Sequence, residues 1–174
     1  GVAVPKRIKA VDAVLPVLQV IEETPDVRTF RLDNRQASIP FDLPGKFARV
    51  CIPGEGGDVW RSFTISSSPT DKEHIDLTIK LNPAGQVSRY LFESVSAGDE
   101  IRVKGAQGGF CFDPERHPEP LVLISAGSGI TPMMSIARFL KGTNSTLPCH
   151  FLYGARTAAD VIFHDECLQL AYSW

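Results

Sequence analysis

A small antiparallel β-barrel or sandwich, followed by the opening of a parallel α/β sheet, is the fold class this sequence predicts. Three observations predict it. Over the first two-thirds, short runs rich in Val, Ile, Phe and Thr are broken by Pro, Gly, Asp and Asn about every ten residues. Ile75–Leu81 alternates strictly between apolar and polar side chains, as a strand does when it buries one face and wets the other. Beyond the proline-rich, charged stretch Asp113–Pro120 the pattern becomes apolar run, helix, apolar run, helix, which reads as a parallel, doubly wound sheet.

In chain order, strands are expected near Leu15–Ile21, Val27–Leu32, Phe47–Ile52, Trp60–Ser66, Ile75–Leu81 and Glu100–Val103. Short strands with turn signals between them suit a barrel or sandwich. One helix interrupts them at Gln86–Ser94, with Val87, Tyr90, Leu91 and Val95 at helical spacing. Asp113–Pro120 serves as a linker, dividing the chain into 1–113 and 114–174, with 1–14 as an arm or linker carrying Lys6, Arg7 and Lys9. The second part holds an apolar strand at Leu121–Ile124, a helix at Pro132–Lys141, a strand at His150–Tyr153 and a helix at Asp160–Ala171. It stops after two strand–helix units, whereas a self-sufficient sheet of this type needs more strands to bury both faces. The second domain therefore reads as truncated, and Trp174 as the end of a helix.

Composition excludes several classes. At 43% hydrophobic and 22% charged the 174 residues have an ordinary globular make-up, and a net charge of −2 offers no basic field to nucleic acid. No run of apolar residues is long enough to cross a membrane, and the start lacks a secretory core, so a cytoplasmic protein is expected. Cys51, Cys111, Cys149 and Cys167 lie far apart in apolar runs and read as buried free thiols. His74, His117, His150 and His164 lack ligand spacing, so no metal site is expected. Asn144-Ser-Thr146 has the form of a glycosylation acceptor but reads as a polar loop.

Three segments carry possible chemistry. Ala126-Gly127-Ser128-Gly129-Ile130-Thr131-Pro132 follows a buried strand and opens a helix, so a ligand anion can approach backbone N–H groups at a positive helix end. Thr131 suits the N-cap there and Pro132 the first helical position, while Pro132 in place of a third glycine disfavours an ordinary dinucleotide fingerprint. Arg61-Ser62-Phe63-Thr64 offers a cation for a phosphate, an aromatic plane for a ring and a hydroxyl for its edge. The same four residues also suit a plain strand with a core Phe63 and an exposed Arg61. Gly85-Gln86-Val87-Ser88 can cradle a second phosphate or simply cap the helix it begins.

Taken together these motifs resemble the ferredoxin–NADP reductase superfamily. Arg61-x-Phe63-Thr64 is similar to its Arg-x-Tyr-Ser/Thr flavin motif, Gly85-x-x-Ser88 to its flavin-pyrophosphate segment, and Pro44-Gly45-Lys46-Phe47 to its Pro-Gly-Gln-Tyr/Phe turn. Gly105–Phe110 resembles its Gly-Pro-x-Gly-x-Phe loop, Gly127-x-Gly129-x-Thr131-Pro132 its nicotinamide-nucleotide motif, and Tyr153-Gly-Ala-Arg156-Thr157 the strand end after it. Phe-Thr-Ile-Ser-Ser and Asp160-Val-Ile-Phe163-x-Asp165-Glu166 are closest in wording to NADH oxidoreductases of the hybrid-cluster-protein reductase and flavohaemoglobin types. Phe63 for Tyr, Lys46 for Gln and Ala106 for Pro are departures that alter details of flavin contact.

The resemblance implies a six-stranded antiparallel Greek-key flavin-binding barrel followed by a truncated, doubly wound pyridine-nucleotide-binding domain. It implies FAD, with FMN as the alternative, and NADH or NADPH as donor. Hydride would pass to the flavin and single electrons onward to an iron–sulfur, haem or flavodoxin-type acceptor, or to a fused ferredoxin or haem domain. A [2Fe-2S] cluster would belong only to a ferredoxin domain outside this chain. Arg61 and Ser88 would hold flavin phosphates, Phe63 would cover the ring and Thr64 would bond near N5, with Ser62, Thr78, Ile79, Lys80, Gly85, Gln86 and Val87 around them. Thr131 would stand where nicotinamide meets flavin, with Gly127, Ser128, Gly129 and Pro132 under the dinucleotide and Arg156 near its adenosine side. Thr64 and Thr131 are thus the expected catalytic pair. A non-catalytic flavin or nucleotide module, or an electron-transfer subunit of a larger complex, shares the same motifs.

Overall fold

A computed structural model describes residues 9–173, apart from the side chain of Ser173. The arm expected at Lys6 and Arg7 and the helix end expected at Trp174 lie outside the described residues. Strands β1 (Val11–Thr24), β2 (Val27–Asp33), β3 (Phe47–Ile52), β4 (Val59–Thr64), β5 (His74–Lys80) and β6 (Glu100–Gln107) make one antiparallel sheet, with helix α1 (Gln86–Ser94) preceding β6. Across the sheet they run β4-β3-β6-β1-β2-β5, a Greek-key order in which β6 inserts between two hairpins. The sheet curls until its two edges meet where Ile65, just past β4, bridges Leu77 of β5.

The core of this curled sheet is apolar. Leu15, Phe30, Leu32, Ala48, Val50, Ile65, Leu77 and Val103 are fully enclosed, and each large side chain among them gains roughly 1.5–3 kcal/mol by burial. The strands differ from the sequence expectation where pairing, not side-chain pattern, sets their ends. β1 runs from Val11 to Thr24, beyond the expected Leu15–Ile21, because its first half pairs with β6 and its second with β2. β6 continues past Val103 to Gln107 because it has β1 on one side and β3 on the other. β4 stops at Thr64, short of the expected Ser66, since only Ile65 of the following residues finds a sheet partner.

The second half contains parallel strands β7 (Leu121–Ala126) and β8 (Cys149–Gly154), helix α2 (Ile130–Gly142) between them, and helix α3 (His164–Ser173). One sheet face is covered, with Leu123 packing on Ile136, Leu140 and Phe112. The opposite face is bare: Val122, Ile124 and Leu152 are 58%, 67% and 54% exposed. α2 also packs Ile130, Met134 and Ala137 against Val27 of the barrel and against Ile162, Phe163 and Leu170.

Three expectations are corrected here. The Ile75–Leu81 alternation does not leave a wet face, because Asp76 and Thr78 are as buried as Ile75, Leu77 and Ile79. Their side chains are taken up by neighbours, Asp76 by Arg31 at 2.9 Å and Thr78 by Thr29 and Ser66 at 2.7 and 2.8 Å, and Ser135 and Arg138 of α2 reach the carbonyls of Ser67 and Ser66 alongside. The last helix begins at His164, not Asp160, because the chain makes a short 3-10 turn at Ala158–Asp160 and Phe163 adopts a left-handed φ of 58°. The four cysteines are free, as expected, but half-buried, with burial pushing the Cys51, Cys149 and Cys167 thiols up from their ordinary range.

Candidate functional site

β4 and β5 are the two edge strands of the curled sheet, and they touch at one bridge. Continuing that antiparallel register away from Ile65 and Leu77 sets Thr64 opposite Thr78, Phe63 opposite Ile79, Ser62 opposite Lys80 and Arg61 opposite Leu81. No ladder forms along this stretch, so the strands diverge into a wedge with unpaired edge backbone on both walls. The chain leaves β5 at Lys80 and re-enters structure at Gly85, the N-cap of α1, placing the Gly85–Ser88 amides beyond the open end of the wedge. Residues from two distant segments thereby line one gap.

On β4, Phe63 shares a face with core residues Val59 and Ile65 and packs partly against the core, while Arg61 on the same face is exposed near the open end. The Arg61 guanidinium donates to the carbonyl of Trp60 at 2.8 Å, leaving most of its fork without a protein partner in the described contacts. Ser62 and Thr64 face the other way, Ser62 exposed and Thr64 half-buried. On β5, the Thr78 hydroxyl is already bonded to Thr29 and Ser66 at 2.7 and 2.8 Å, and the Ile79 side chain is in the core. These two residues can therefore meet a ligand only through backbone atoms. Lys80 pairs with Asp26 at 3.3 Å.

At α1, Gln86 and Val87 lead the helix, with Val87 in the core. The Ser88 hydroxyl, expected on a phosphate, instead accepts from Asn82 N–H at 3.1 Å and donates to Asn82 carbonyl at 3.2 Å, clamping the loop after β5. A Cβ at Gly85 would lie 3.1 Å from that hydroxyl and 3.2 Å from the Asn82 side chain, so a larger residue here would crowd the Ser88–Asn82 clamp. The Gly85 N–H donates to the Asn82 carbonyl at 2.8 Å, so the backbone amides of Gln86 and Val87 are the groups suited to an anion.

The second half contributes a 3-10 turn at Gly127–Gly129, which packs against β5. α2 begins directly at Ile130, so Thr131 and Pro132 lie inside its first turn instead of at the N-cap and first position. Proline is still tolerated there, since the first-turn N–H groups have no intrahelical acceptor. Thr131 is nearly buried and donates its hydroxyl to the Ser128 carbonyl at 3.2 Å, so the expected partner of Thr64 is engaged within its own turn. Gly127 has φ +53°, and neither it nor Gly129 would place a Cβ within 4 Å of another atom, leaving open space over the turn. Ser128 is exposed between them.

A cleft of about 390 Å³ joins the halves, lined by Lys80 and Val27 of the barrel and by Gly127, Gly154, Arg156 and Asp160. Arg156 donates to Asp160 at 3.2 Å, and Asp160 also accepts from Thr157 at 3.0 Å. The Thr157 hydroxyl first, and Arg156 second, hold the Asp160 carboxyl below its ordinary range. Sequence reasoning missed Tyr153 as a functional strut. Its hydroxyl donates to the Gly127 carbonyl at 3.1 Å and accepts from Ile162 N–H at 3.3 Å, fixing the glycine turn to the chain before α3. Asp26 was equally silent, since only the fold brings it to Lys80.

A flavin fits the wedge, which has an aromatic on one wall, the exposed Arg61 guanidinium near its open end and helix amides beyond. A dinucleotide fits the open glycine turn, at the carboxyl ends of parallel strands where such ligands bind. Ser125 Oγ, enclosed at the end of β7, has no hydrogen-bond partner among the described residues. Among the described residues no cluster of His, Cys, Asp and Glu could hold a metal, and no helix is long and apolar enough to cross a membrane.

Comparison with known proteins agrees with this reading of the motifs. Residues 15–112 match the oxidoreductase FAD-binding domain and residues 123–173 the oxidoreductase NAD-binding domain. The chain is 39% identical over 150 residues to the glycine betaine monooxygenase reductase subunit of Chromohalobacter salexigens, covering 86% of this chain and 40% of that protein. It is 34% identical over 152 residues to NADH oxidoreductase HCR of Escherichia coli, covering 87% of this chain and 46% of that protein. The chain thus spans less than half the length of these relatives. The crystal structure of the flavohem-like FAD/NAD binding domain of nitric oxide dioxygenase from Vibrio cholerae superposes with a TM-score of 0.82 at 26% identity, covering 92% of this chain and 69% of that one. A wedge between unpaired barrel edges, a glycine turn close to one of them, and these matches in order make the chain a member of the FAD-binding oxidoreductase domain family, of ferredoxin–NADP reductase-like fold, followed by a segment that matches the NAD-binding domain.

Proposed function

We propose that this chain is the flavin-and-nucleotide core of an NAD(P)H-dependent reductase that delivers electrons to a separate or fused acceptor. The observation that carries this reading is the closeness of β5, which walls the wedge, to the Gly127–Gly129 turn, which supports a nucleotide site beside a flavin site. When bound, the flavin accepts hydride from reduced nicotinamide and releases electrons singly. The protein supplies placement. Arg61 holds a flavin phosphate, the Gln86 and Val87 amides hold the neighbouring one, and Phe63 covers the ring. The Thr64 hydroxyl and the backbone of Thr78–Lys80 bond its edge, while Ser88 keeps the amide loop in shape through Asn82. Gly127, Ser128 and Gly129 lie under the dinucleotide, Thr131 braces that turn, Pro132 stiffens the first turn of α2, and Arg156 reaches the adenosine side.

FAD is favoured over FMN because two separate phosphate elements, Arg61 and the Gln86–Val87 amides, stand at the mouth of the wedge. The division into 1–113 and 114–174 corresponds to the flavin and nucleotide parts. The relatives named reductase subunit and NADH oxidoreductase support an oxygenase or redox-protein acceptor. The test is to purify the chain, release its cofactor by heat and identify it by chromatography, then add NADH without oxygen and follow bleaching of the visible flavin band. A yellow protein carrying FAD that bleaches supports the reading. A protein that cannot be loaded with FAD or FMN overturns it, and one that holds flavin but is never reduced is a binding module instead.

A further inference from the structure

Arg138 stands at the joint between the two halves and has no part in the ligand contacts described so far. It lies on α2, one helix whose first turn follows the glycine turn. Its Nη1 donates to the carbonyl of Ser66 at 2.7 Å, while Nε and Nη2 donate to the two oxygens of Glu166 on α3 at 2.8 and 2.6 Å. Its guanidinium carbon also sits 4.6 Å from the centre of the Phe163 ring, the residue that leads into α3. One group therefore ties the flavin-side chain segment, α2 and α3 together. Beside it, Ser135 Oγ donates to the carbonyl of Ser67 at 2.8 Å. Ser66 and Ser67 are 0% and 3% exposed, so these carbonyls have no water to turn to.

The placement matters more than the bond strengths. Ser66 follows Thr64 by two residues on the chain that forms the wedge wall, and Ser66 is itself pinned by its N–H to the Asp76 carbonyl at 2.9 Å. From Arg138 back to Thr131 is about 10 Å of helix at 1.5 Å per residue. A helix is stiff over that length, so an anchor at Arg138 fixes where the glycine turn stands relative to Phe63 and Thr64. Hydride transfer is sensitive to such spacing, an error of about 1 Å costing roughly a hundredfold. The fork geometry is specific to arginine, because a lysine ammonium is a single point charge that cannot serve a carbonyl and a carboxylate edge in one plane.

Building on the reductase reading, we infer that Arg138 is a positioning residue: by gripping the Ser66 carbonyl and the Glu166 carboxylate together, it sets the distance between the nicotinamide and flavin sites. The flavin-loaded chain is titrated with NAD+ and the perturbation of the visible flavin band is recorded, alongside flavin affinity, for the parent, Arg138→Ala, Arg138→Lys and Ser135→Ala. The expected result is a saturable perturbation in the parent whose limiting size falls by about half or more in Arg138→Ala while flavin affinity is unchanged, with Arg138→Lys intermediate. Ser135→Ala, which removes the neighbouring tether and keeps the fork, shows a smaller loss and keeps the comparison readable if Arg138→Ala folds poorly. A limiting perturbation unchanged in Arg138→Ala and Arg138→Lys overturns the inference. So does a parent that binds both flavin and NAD+ with no perturbation, since the joint then fails to present one to the other. A chain that takes up no flavin brings down the reductase reading, and this inference with it.

Discussion

Ile65 and Leu77 form a single bridge between strands β4 and β5, and on one side of that bridge the two strands separate instead of pairing. Arg61 lies on the separating side, exposed, with one N–H spent on its neighbour's carbonyl. Arg61→Ala is expected to weaken flavin binding by about ten- to a hundredfold, the value of a charged hydrogen-bond partner at roughly 1.5–3 kcal/mol. Titration of the flavin-stripped protein with FAD measures it. Equal affinity in parent and variant would mean that Arg61 is a surface charge and no more.

The two glycines of the 127–129 turn should part under substitution. Gly127 has φ +53°, so Gly127→Ala is expected to cost about 1 kcal/mol of stability before any ligand is considered. Gly129 has ordinary backbone and open space around its missing Cβ, so Gly129→Ala should melt like the parent yet bind NADH more weakly, its methyl occupying the ligand's approach. Thermal melts and nucleotide titrations on both variants check this. Unchanged nucleotide binding in Gly129→Ala would remove the turn from the site.

Glu23 gives a pH signature. It lines a cavity of about 430 Å³ at the joint with Thr29, Arg31, Asp76, Arg138 and Glu166. Burial pushes its carboxyl up from the ordinary range, against the lowering effects of the Thr29 hydroxyl, bonded at 2.6 Å, and of Arg138. A raised carboxylate favours the folded state when protonated, so stability falls as pH rises from the free value of about 4.3 through the raised folded value, and then levels. Glu23→Gln, which can still accept from Thr29, should melt with the parent in acid and above it near neutrality. A difference in melting temperature that does not change with pH would refute the ionisation argument.

The bare face of the β7–β8 sheet leads to a fourth expectation. Val122, Ile124 and Leu152 stand in water, so the two-stranded sheet is short of the packing that would hold β7, β8 and the glycine turn steady. A chain extended past Trp174 should reduce its flavin with NADH faster than this one in stopped-flow, while both hold flavin equally well. Equal rates would show that the residues present are enough for catalysis.

Strand positions and the glycine turn were legible in the sequence because periodicity and turn residues are local signals. Phe47–Ile52 and Gln86–Ser94 fall where the pattern puts them. What escaped is what depends on distant partners. The wet face expected for β5 is dry because Asp76 and Thr78 are taken up by Arg31, Thr29 and Ser66, and nothing in Ile75–Leu81 records those partners. The Ser88 hydroxyl was expected on a phosphate and Thr78 near the flavin, and the partners that both hydroxyls have in the fold, Asn82 for one and Thr29 and Ser66 for the other, were not legible locally. Tyr153 was visible as part of a motif, though its role as a strut between Gly127 and Ile162 was not.

The joint is polar along one side and apolar along the other, and the two sides would part differently. Ser135 and Arg138 of α2 reach carbonyls on the barrel side, whereas Val27 and Phe112 bury apolar side chains against α2 and its neighbours. Separating the halves would therefore bare apolar surface as well as break hydrogen bonds. A grafted nucleotide half would need a docking code of both kinds: a hydroxyl at the position of Ser135, a guanidinium at that of Arg138, and apolar seats for Val27 and Phe112.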